Sequence, residues 1–459
     1  MEVKKPGNQL LFDEMPIPRA VTTLAVPTVI GQLIILIYNM ADTFFIGRTN
    51  NPYMVAAASL VLPLFNVSIA FANIAGTGGG TLMARLMGRG RTEDARRVAA
   101  FSFVFSLVAG AAFAALTGLF LDPLLRLLGA SGETIGYARQ YAACVIVAGA
   151  VPTVLSMTMS NLLRNVGCAR QAGFGVSMGG IINIVLDPLF MFVILPAGNE
   201  ILGAGIATAL SNFITCGFFL TVILRLKHEA LSLSFKSGRP ERALIGSFFA
   251  VGLPAALGPF LFDLDYIVID RLMASYSDIA LAAVGIVLKV ERLPLNTGIG
   301  LSLGMVPLAA YNYAAGNRER MEASVRFTRR VGIAVGLASV ALYELLAPQL
   351  IRAFIGDAGT VFLGARFLRI RVLATPFMFL SFIYVHFFQA VGRGKTVLIL
   401  LVLRWAVFNI PMLFVLNALF GMYGVVWSQL VSDVFVAAIS YLIYRSFRRT
   451  YRRQTEAAP

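Results

Sequence analysis

The chain of 459 residues carries the same set of landmarks twice. Segments 24–31 (LAVPTVIG) and 251–258 (VGLPAALG) each have proline at the fourth position and glycine at the eighth. Further pairs of similar short segments follow at nearly the same separation along the chain: 56–57 with 282–283, 90–93 with 316–319, and 165–167 with 390–392. Such a duplication predicts two similar units, residues 1–226 and 243–459, joined by a polar linker at 227–242.

The bilayer is the solvent that the composition favours, because 58% of residues are hydrophobic and only 13% are charged. We count about twelve apolar stretches, each long enough to meet the ~20-residue criterion for a membrane span. Each half has six stretches, and an even number of spans returns the chain to the side of the membrane where it started. Both halves therefore have the same orientation, and the repeat is parallel, an organisation typical of secondary transporters. The predicted fold is an all-α membrane protein with twelve transmembrane helices in two six-helix bundles related by pseudo-two-fold symmetry.

The net charge of +15 is distributed in a pattern that disfavours nucleic-acid binding. Lys and Arg cluster in alternate connections, with residues 349–371 as the exception on the other side. By the positive-inside rule, this bias predicts a multi-pass protein of the cytoplasmic (inner) membrane whose termini and central linker are cytoplasmic. The basic connections are 4–5, 85–97, 164–170, 225–242, 318–330, 393–395 and 445–453.

Catalytic and metal-binding motifs are not indicated. The three cysteines are scattered and the two histidines lie far apart, so no metal site is predicted. Residues 392–396 (GRGKT) lack the first glycine of a nucleotide-binding loop. The glycine-rich segment 76–80 is interpreted as a point of close helix packing or flexibility. We therefore expect no enzyme and no cofactor, with an ion gradient as the energy source.

Acidic residues inside apolar stretches are functional candidates, because a carboxylate near mid-bilayer costs roughly 2.5–3.5 kcal/mol. Asp42 shares a helix face with Tyr38 and Asn39. Asn183 and Asp187 are four residues apart on the fifth stretch, and Thr208 offers a hydroxyl on the sixth. Their oxygens are the ligands that small hard cations prefer. The alternatives are an Asp42 that reaches the membrane interface and an Asp187 that is satisfied at a kink.

The second half contains its own charged set. Two interpretations remain open: a buried ion-pair network in which the basic residues neutralise the acids, or a charged cavity wall that binds substrate or protons. The residues are Asp263, Asp265, Lys289, Glu291 and Arg292.

At these residues the chain resembles the multidrug and toxic compound extrusion (MATE) transporters. Segment 40–47 (MADTFFIG) resembles the family's signature at the end of the first helix, and 304–313 (GMVPLAAYNY) resembles its counterpart in the eighth. The resemblance implies two six-helix lobes in a V shape around a central cavity. It also implies a cation site in the N-terminal lobe, matched by Asp42, Asn183, Asp187 and Thr208. The acids that another branch carries on helices seven and ten are not matched, since Asp263 is shifted and the tenth stretch has none.

The function expected from the resemblance is a cation-coupled (H⁺ or Na⁺) antiporter that exports amphipathic, often cationic drugs and toxic compounds. We expect it to work as a monomer in the lipid bilayer. The alternative is a flippase for a lipid-linked saccharide of the same broad superfamily. Such proteins more often have a strongly cationic cavity, whereas most basic residues here lie in connections.

Overall fold

The computed structural model describes residues 7–233 and 240–456, and these residues form helices and no strand. Lys4 and Lys5, and residues 234–239 of the predicted linker, lie outside the described residues.

Six long helices form the N-terminal lobe. The fourth is bent by 48° at Gly149, where a π-helical turn meets the next α-helix. Two short helices, Gly7–Asp13 and Leu121–Leu127, precede α1 and α4. The long helices are α1 (Ile17–Gly47), α2 (Pro52–Gly88), α3 (Thr92–Leu119), α4 (Ile135–Ala148 with Ala150–Asn165), α5 (Ala169–Ile194) and α6 (Glu200–Leu226).

The C-terminal lobe repeats this count. Helix α10 is bent by 46° between its two parts, and the last long run is divided at Gly421, whose φ is 62°. The helices are α7 (Arg242–Ala274), α8 (Asp278–Ala314), α9 (Arg318–Arg352), α10 (Ala358–Val372 with Thr375–Ala390), α11 (residues 394–420) and α12 (residues 422–456).

Among the described residues, eight helices are long and apolar enough to cross a membrane, or ten when each bent pair counts as one span. Two more complete the prediction of twelve. One is α8, and the other follows from the division of the last run at Gly421. The all-helical, two-lobed membrane fold is therefore confirmed.

The sequence duplication is matched in backbone conformation. Gly90 and Gly316, which occupy equivalent positions in the repeat, have φ of 72° and 75°. Gly167 and Gly392, the next equivalent pair, have φ of 90° and 81°. Positive φ is readily available only to glycine, so these residues make the same turn at the same place in both lobes.

The two lobes pack closely at one end of the bundle. We call it the basic end, because α1 begins there, α2, α8 and α12 end there, and most Lys and Arg residues cluster there. A Cβ atom at Gly300 of α8 would lie 2.7 Å from the Cα of Val29 in α1, and Gly304 packs against the backbone of Ala25. Small residues permit this approach of helix backbones.

The glycine-rich segment 76–80 serves the same contact. A Cβ atom at Gly78 would lie 2.5 Å from the carbonyl oxygen of Phe248 in α7. A Cβ atom at Gly252 would in turn lie 2.5 Å from the carbonyl oxygen of Ile74. This pair of glycines agrees with the interpretation of 76–80 as a point of close helix packing.

The short helix Gly7–Asp13 packs against the basic end of the bundle. Phe12 stacks on Tyr311 of α8 with ring centroids 4.9 Å apart, and Asn312 donates to the carbonyl oxygen of Phe12 at 3.2 Å. The guanidinium of Arg320 donates to the carbonyl oxygens of Leu11, Phe12 and Met15. A segment preceding the N-terminal lobe is thus bonded to the C-terminal lobe.

Replacing Gly304 with alanine should destabilise the protein by about 1–3 kcal/mol, because the added methyl group meets the backbone of Ala25 and forces the lobes apart. The measurement is thermal unfolding of the purified protein in detergent. Gly285→Ala is the matched control on the same helix, since a Cβ there meets nothing within 4 Å. It should be neutral or stabilise by up to about 1 kcal/mol. Equal melting temperatures for the two variants would contradict the packing.

Candidate cation site and cavity

Three of the four predicted cation ligands come together between α5 and α6. Asn183 and Asp187 are 2% and 0% exposed. The amide nitrogen of Asn183 donates to Oδ1 of Asp187 at 3.2 Å and to Oγ1 of Thr208 at 3.3 Å. One amide therefore bridges the carboxylate of one helix and the hydroxyl of the next.

Asp42 reaches the same group from α1. It is half-buried, and its carboxylate is close enough to Asp187 for the two to interact electrostatically. Tyr141 of α4, which is 7% exposed, interacts with Asp42 and Thr208 through its hydroxyl. The composition of segment 135–148 did not single out Tyr141, which only the fold brings to the acids.

Several acceptor oxygens of this group have no hydrogen-bond donor among the described residues. They are Oδ1 of Asp42, Oδ1 of Asn183 and Oδ2 of Asp187. An acceptor buried without a donor costs about 1–3 kcal/mol, and more when it is charged. A small hard cation or a proton can satisfy such oxygens, since two carboxylates, an amide and a hydroxyl are the appropriate donor set.

A cavity of about 230 Å³ lies next to this group, lined by the N-terminal lobe and by Leu303 of α8. Asn183 and Thr208 belong to both, and Tyr38 and Asn39 of α1 line the cavity as the sequence analysis predicted. The wall is mixed, with rings and aliphatic side chains alternating with amides and hydroxyls. Further lining residues are Gln32, Phe65, Asn73, Met157, Asn161, Arg164, Asn212 and Phe219.

The second lobe contains a buried ion-pair network, and Glu291 is the member of the predicted charged set that forms an ion pair in it. Nε of Arg371 donates to Oε2 of Glu291 at 2.7 Å, and the two side chains are 1% and 7% exposed. Arg404 lies 2.9 Å from Asp433, with exposures of 3% and 1%. Gln429 connects the two pairs, because it donates to Asp433 at 2.6 Å and accepts from Arg371 at 3.4 Å.

This network corrects the predicted neutralising partners. Lys289 is exposed, whereas Arg292 lies over the ring of Tyr266 at 5.6 Å from its centroid and interacts electrostatically with Asp263, one of the predicted acids. The partner of Glu291 is instead Arg371, which belongs to the predicted connection 349–371, the exception on the less basic side. Arg371 lies in the last turn of the first part of α10, where it is buried.

The other two predicted acids of this lobe have different surroundings. Asp265 is fully buried and accepts a hydrogen bond from Nδ2 of Asn409 at 2.7 Å. Asn409 follows Asn183 by 226 positions (409 − 183), the spacing between Gly90 and Gly316 (316 − 90). Asp263 faces the N-terminal lobe, where Nδ2 of Asn66 in α2 donates to it at 2.7 Å.

Comparison with known proteins places the chain in a family. The family described as MatE matches residues 27–189 and 254–415, one match in each lobe. The chain therefore belongs to the MATE family, and it is a membrane transporter and not an enzyme. Two curated relatives are both called multidrug export protein MepA. The one from Staphylococcus haemolyticus is 33% identical over 97% of each chain, and the one from Staphylococcus aureus (strain N315) is 28% identical over 94% of each chain.

Solved structures have the same fold over almost the entire chain. A crystal structure of MATE in complex with MaL6 aligns with a TM-score of 0.91 and 25% identity, covering 97% of this chain and 99% of that one. An outward-facing multidrug resistance MATE transporter aligns with the same TM-score and coverage at 24% identity.

Arg371→Gln should lower the free energy of unfolding by about 3–5 kcal/mol, because it leaves the carboxylate of Glu291 buried without its cation. Thermal unfolding of the purified protein measures this. The matched control is Arg369→Gln, which removes an exposed pair with Glu344 (43% and 40% exposed) and should cost at most about 1 kcal/mol. Similar shifts for both variants would contradict the buried network.

Proposed function

We propose that the protein is an antiporter that uses an H⁺ or Na⁺ gradient to export amphipathic, often cationic compounds across the cytoplasmic membrane. The observation that carries this proposal is the set of unpaired oxygens of Asp42, Asn183 and Asp187 beside a cavity with a mixed apolar and polar wall. The names of the MepA relatives support drug-like substrates.

The coupling between the cation and the substrate follows from the two residues that the cation site and the cavity share. Asn183 and Thr208 line the cavity and also contact Asp187, so a cation that reorganises their hydrogen bonds changes the cavity wall. A cation that binds one conformation of the lobe better than the other shifts the population toward that conformation. Substrate affinity changes by the same factor in the opposite sense when the two ligands favour different conformations.

The substrate range follows from the cavity wall. Phe65, Phe219 and Met157 offer surfaces that adapt to varied apolar bodies, and the amides of Asn73 and Asn212 offer donors and acceptors. Each lobe carries its own core, and the cavity lies within one chain, so we propose that the monomer in a lipid bilayer is the functional unit.

For orientation, we propose that the basic end faces the cytoplasm, which places both termini there. The close packing of α1 on α8 then belongs to a state that is closed toward the cytoplasm. A fluorescent protein fused to the C-terminus should fold and emit in cells, and alkaline phosphatase fused there should be inactive. The reverse pattern would contradict the orientation.

Asp187→Asn should reduce ion-driven efflux by roughly tenfold or more, because it removes a ligand charge while keeping the side-chain shape. The measurement is export of a fluorescent organic cation from proteoliposomes under separately imposed Na⁺ and pH gradients. The gradient that loses its effect in the variant identifies the coupling ion.

Asp270→Asn serves as the control, since Asp270 is an exposed acid on α7 that does not line the cavity. It should export at the wild-type rate under both gradients. Wild-type efflux by Asp187→Asn and Asp42→Asn under every gradient would refute the proposed coupling site.

A further inference from the structure

The wall of the cavity beside the cation site contains a buried positive charge. Arg164 of α4 lines this wall and is 7% exposed, and the other described lining residues are uncharged. Arginine keeps its proton in proteins, so the charge is permanent. Because a buried charge without a partner is strongly destabilising, the groups around Arg164 indicate what compensates it.

None of the described acidic side chains compensates this charge. No carboxylate acts electrostatically on Arg164, and Arg164 is not among the groups that act on Asp42 or Asp187. A titratable group that does sense Arg164 is His386 of α10, which is itself a base. The carbonyl groups in the last turn of the helix offset only about half a unit charge. The guanidinium therefore lacks a full counter-charge within the described residues.

Two buried donors on one face of α4 have no acceptor among the described residues. They are Nε of Arg164 and Oγ of Ser160, and Ser160 is 2% exposed and also lines the cavity. Residues four apart on a helix have Cβ atoms about 5–6 Å apart. Helical side chains lean toward the N-terminus of the helix, so the side chain of Arg164 extends toward Ser160. One small ion can therefore accept from both donors.

The neighbours hold the guanidinium in a defined position. Its Nη1 donates to Oδ1 of Asn161 at 2.9 Å, and Nδ2 of Asn161 donates to the carbonyl oxygen of Met157 at 3.0 Å. Gly76 leaves room for this amide, since a Cβ there would lie 2.8 Å from Nδ2 of Asn161. The surrounding structure thus fixes one edge of Arg164 before a ligand binds, which lowers the entropic cost of binding at the other edge.

The charge of the site selects the class of ligand. One guanidinium supplies a single positive charge, and the second donor is a neutral hydroxyl, so a monovalent anion balances the site. Phosphate carries about 1.5–2 negative charges at neutral pH and would leave an excess of buried negative charge. The site therefore fits a small monovalent anion, of which chloride is the simplest.

We propose that Arg164 and Ser160 bind a chloride ion in the wall of the cavity. The ion accepts a charge-assisted hydrogen bond from the guanidinium, which is about twice as strong as a neutral one. Its negative charge offsets that of Arg164, so the wall carries no net charge. The inference goes beyond the proposed export function, because this ion binds the resting protein and requires no gradient.

The test is a titration of thermal stability with chloride at constant sodium concentration and ionic strength. Purified full-length protein in detergent is equilibrated in sodium gluconate, which is then replaced stepwise by sodium chloride. A ligand that binds only the folded state stabilises it by RT ln(1 + [L]/Kd), so the melting temperature of wild type should rise with chloride. Ser160→Ala should weaken the apparent affinity about tenfold, and Arg164→Gln should abolish the response.

Arg85→Gln is the matched control, because Arg85 is also a 7% exposed arginine but does not line the cavity. This variant should keep the response to chloride. A melting temperature of wild type that does not depend on chloride, or a response that persists in Arg164→Gln, would overturn the proposal. The titration of wild type decides the matter even if the Arg164 variant does not fold.

A carboxylate is another monovalent anion that a guanidinium binds. Replacing gluconate by acetate should leave the melting temperature unchanged. A response to acetate as large as that to chloride, lost in Arg164→Gln, would assign the site to carboxylates and overturn the proposal.

Bromide locates the ion, because it replaces chloride and scatters X-rays anomalously. Crystals grown in sodium bromide should show an anomalous difference peak beside Nε of Arg164 and Oγ of Ser160. The absence of this peak at a bromide concentration that saturates the thermal shift would overturn the assignment to these residues. Neither measurement uses an ion gradient, so a failure of ion-coupled export in proteoliposomes would leave the result on chloride unaffected.

Discussion

The side chain of Asn183 has one amide nitrogen, and the fold uses it twice, for Asp187 and for Thr208. Three oxygens of this group have no hydrogen-bond donor among the described residues: Oδ1 of Asn183, Oδ2 of Asp187 and Oδ1 of Asp42. Each buried acceptor without a donor costs about 1–3 kcal/mol. In the mechanism that we propose, a cation or proton at this position recovers that free energy, and its binding links occupancy of the site to the conformation of the lobe.

Helix α1 connects this site to the packing between the lobes. Asp42 lies near one end of the helix, and Ala25 and Val29 lie near the other, directly against the glycines of α8. Helix α1 thereby joins the acids to the contact that closes the basic end, and the proposed coupling would run along it. The cavity lies beside the same helix through Tyr38 and Asn39. One element thus touches the cation site, the cavity and the partner lobe.

Features that depend on local spacing were predictable from the sequence. The apolar stretches gave the helices, the repeat gave the two lobes, and the four-residue spacing of Asn183 and Asp187 gave their shared face. Contacts between distant segments were not predictable. Glu291 and Arg371 are 80 residues apart, and only the packing of α8 against α10 brings them together. Tyr141, Asn409 and the pair of Arg404 with Asp433 were missed for the same reason, because only helix packing brings them to their partners.

A measurement of cation binding tests most directly whether Asp42, Asn183 and Asp187 form a cation site. A ligand that binds only the folded state raises its stability by RT ln(1 + [L]/Kd), so the melting temperature of the purified protein should increase with Na⁺ concentration or with acidity. We expect the melting temperature of wild type to increase in this way and that of the double variant Asp42→Asn, Asp187→Asn to stay unchanged. A melting temperature that responds to neither ion in wild type, or equally in the double variant, would contradict a cation site at these oxygens.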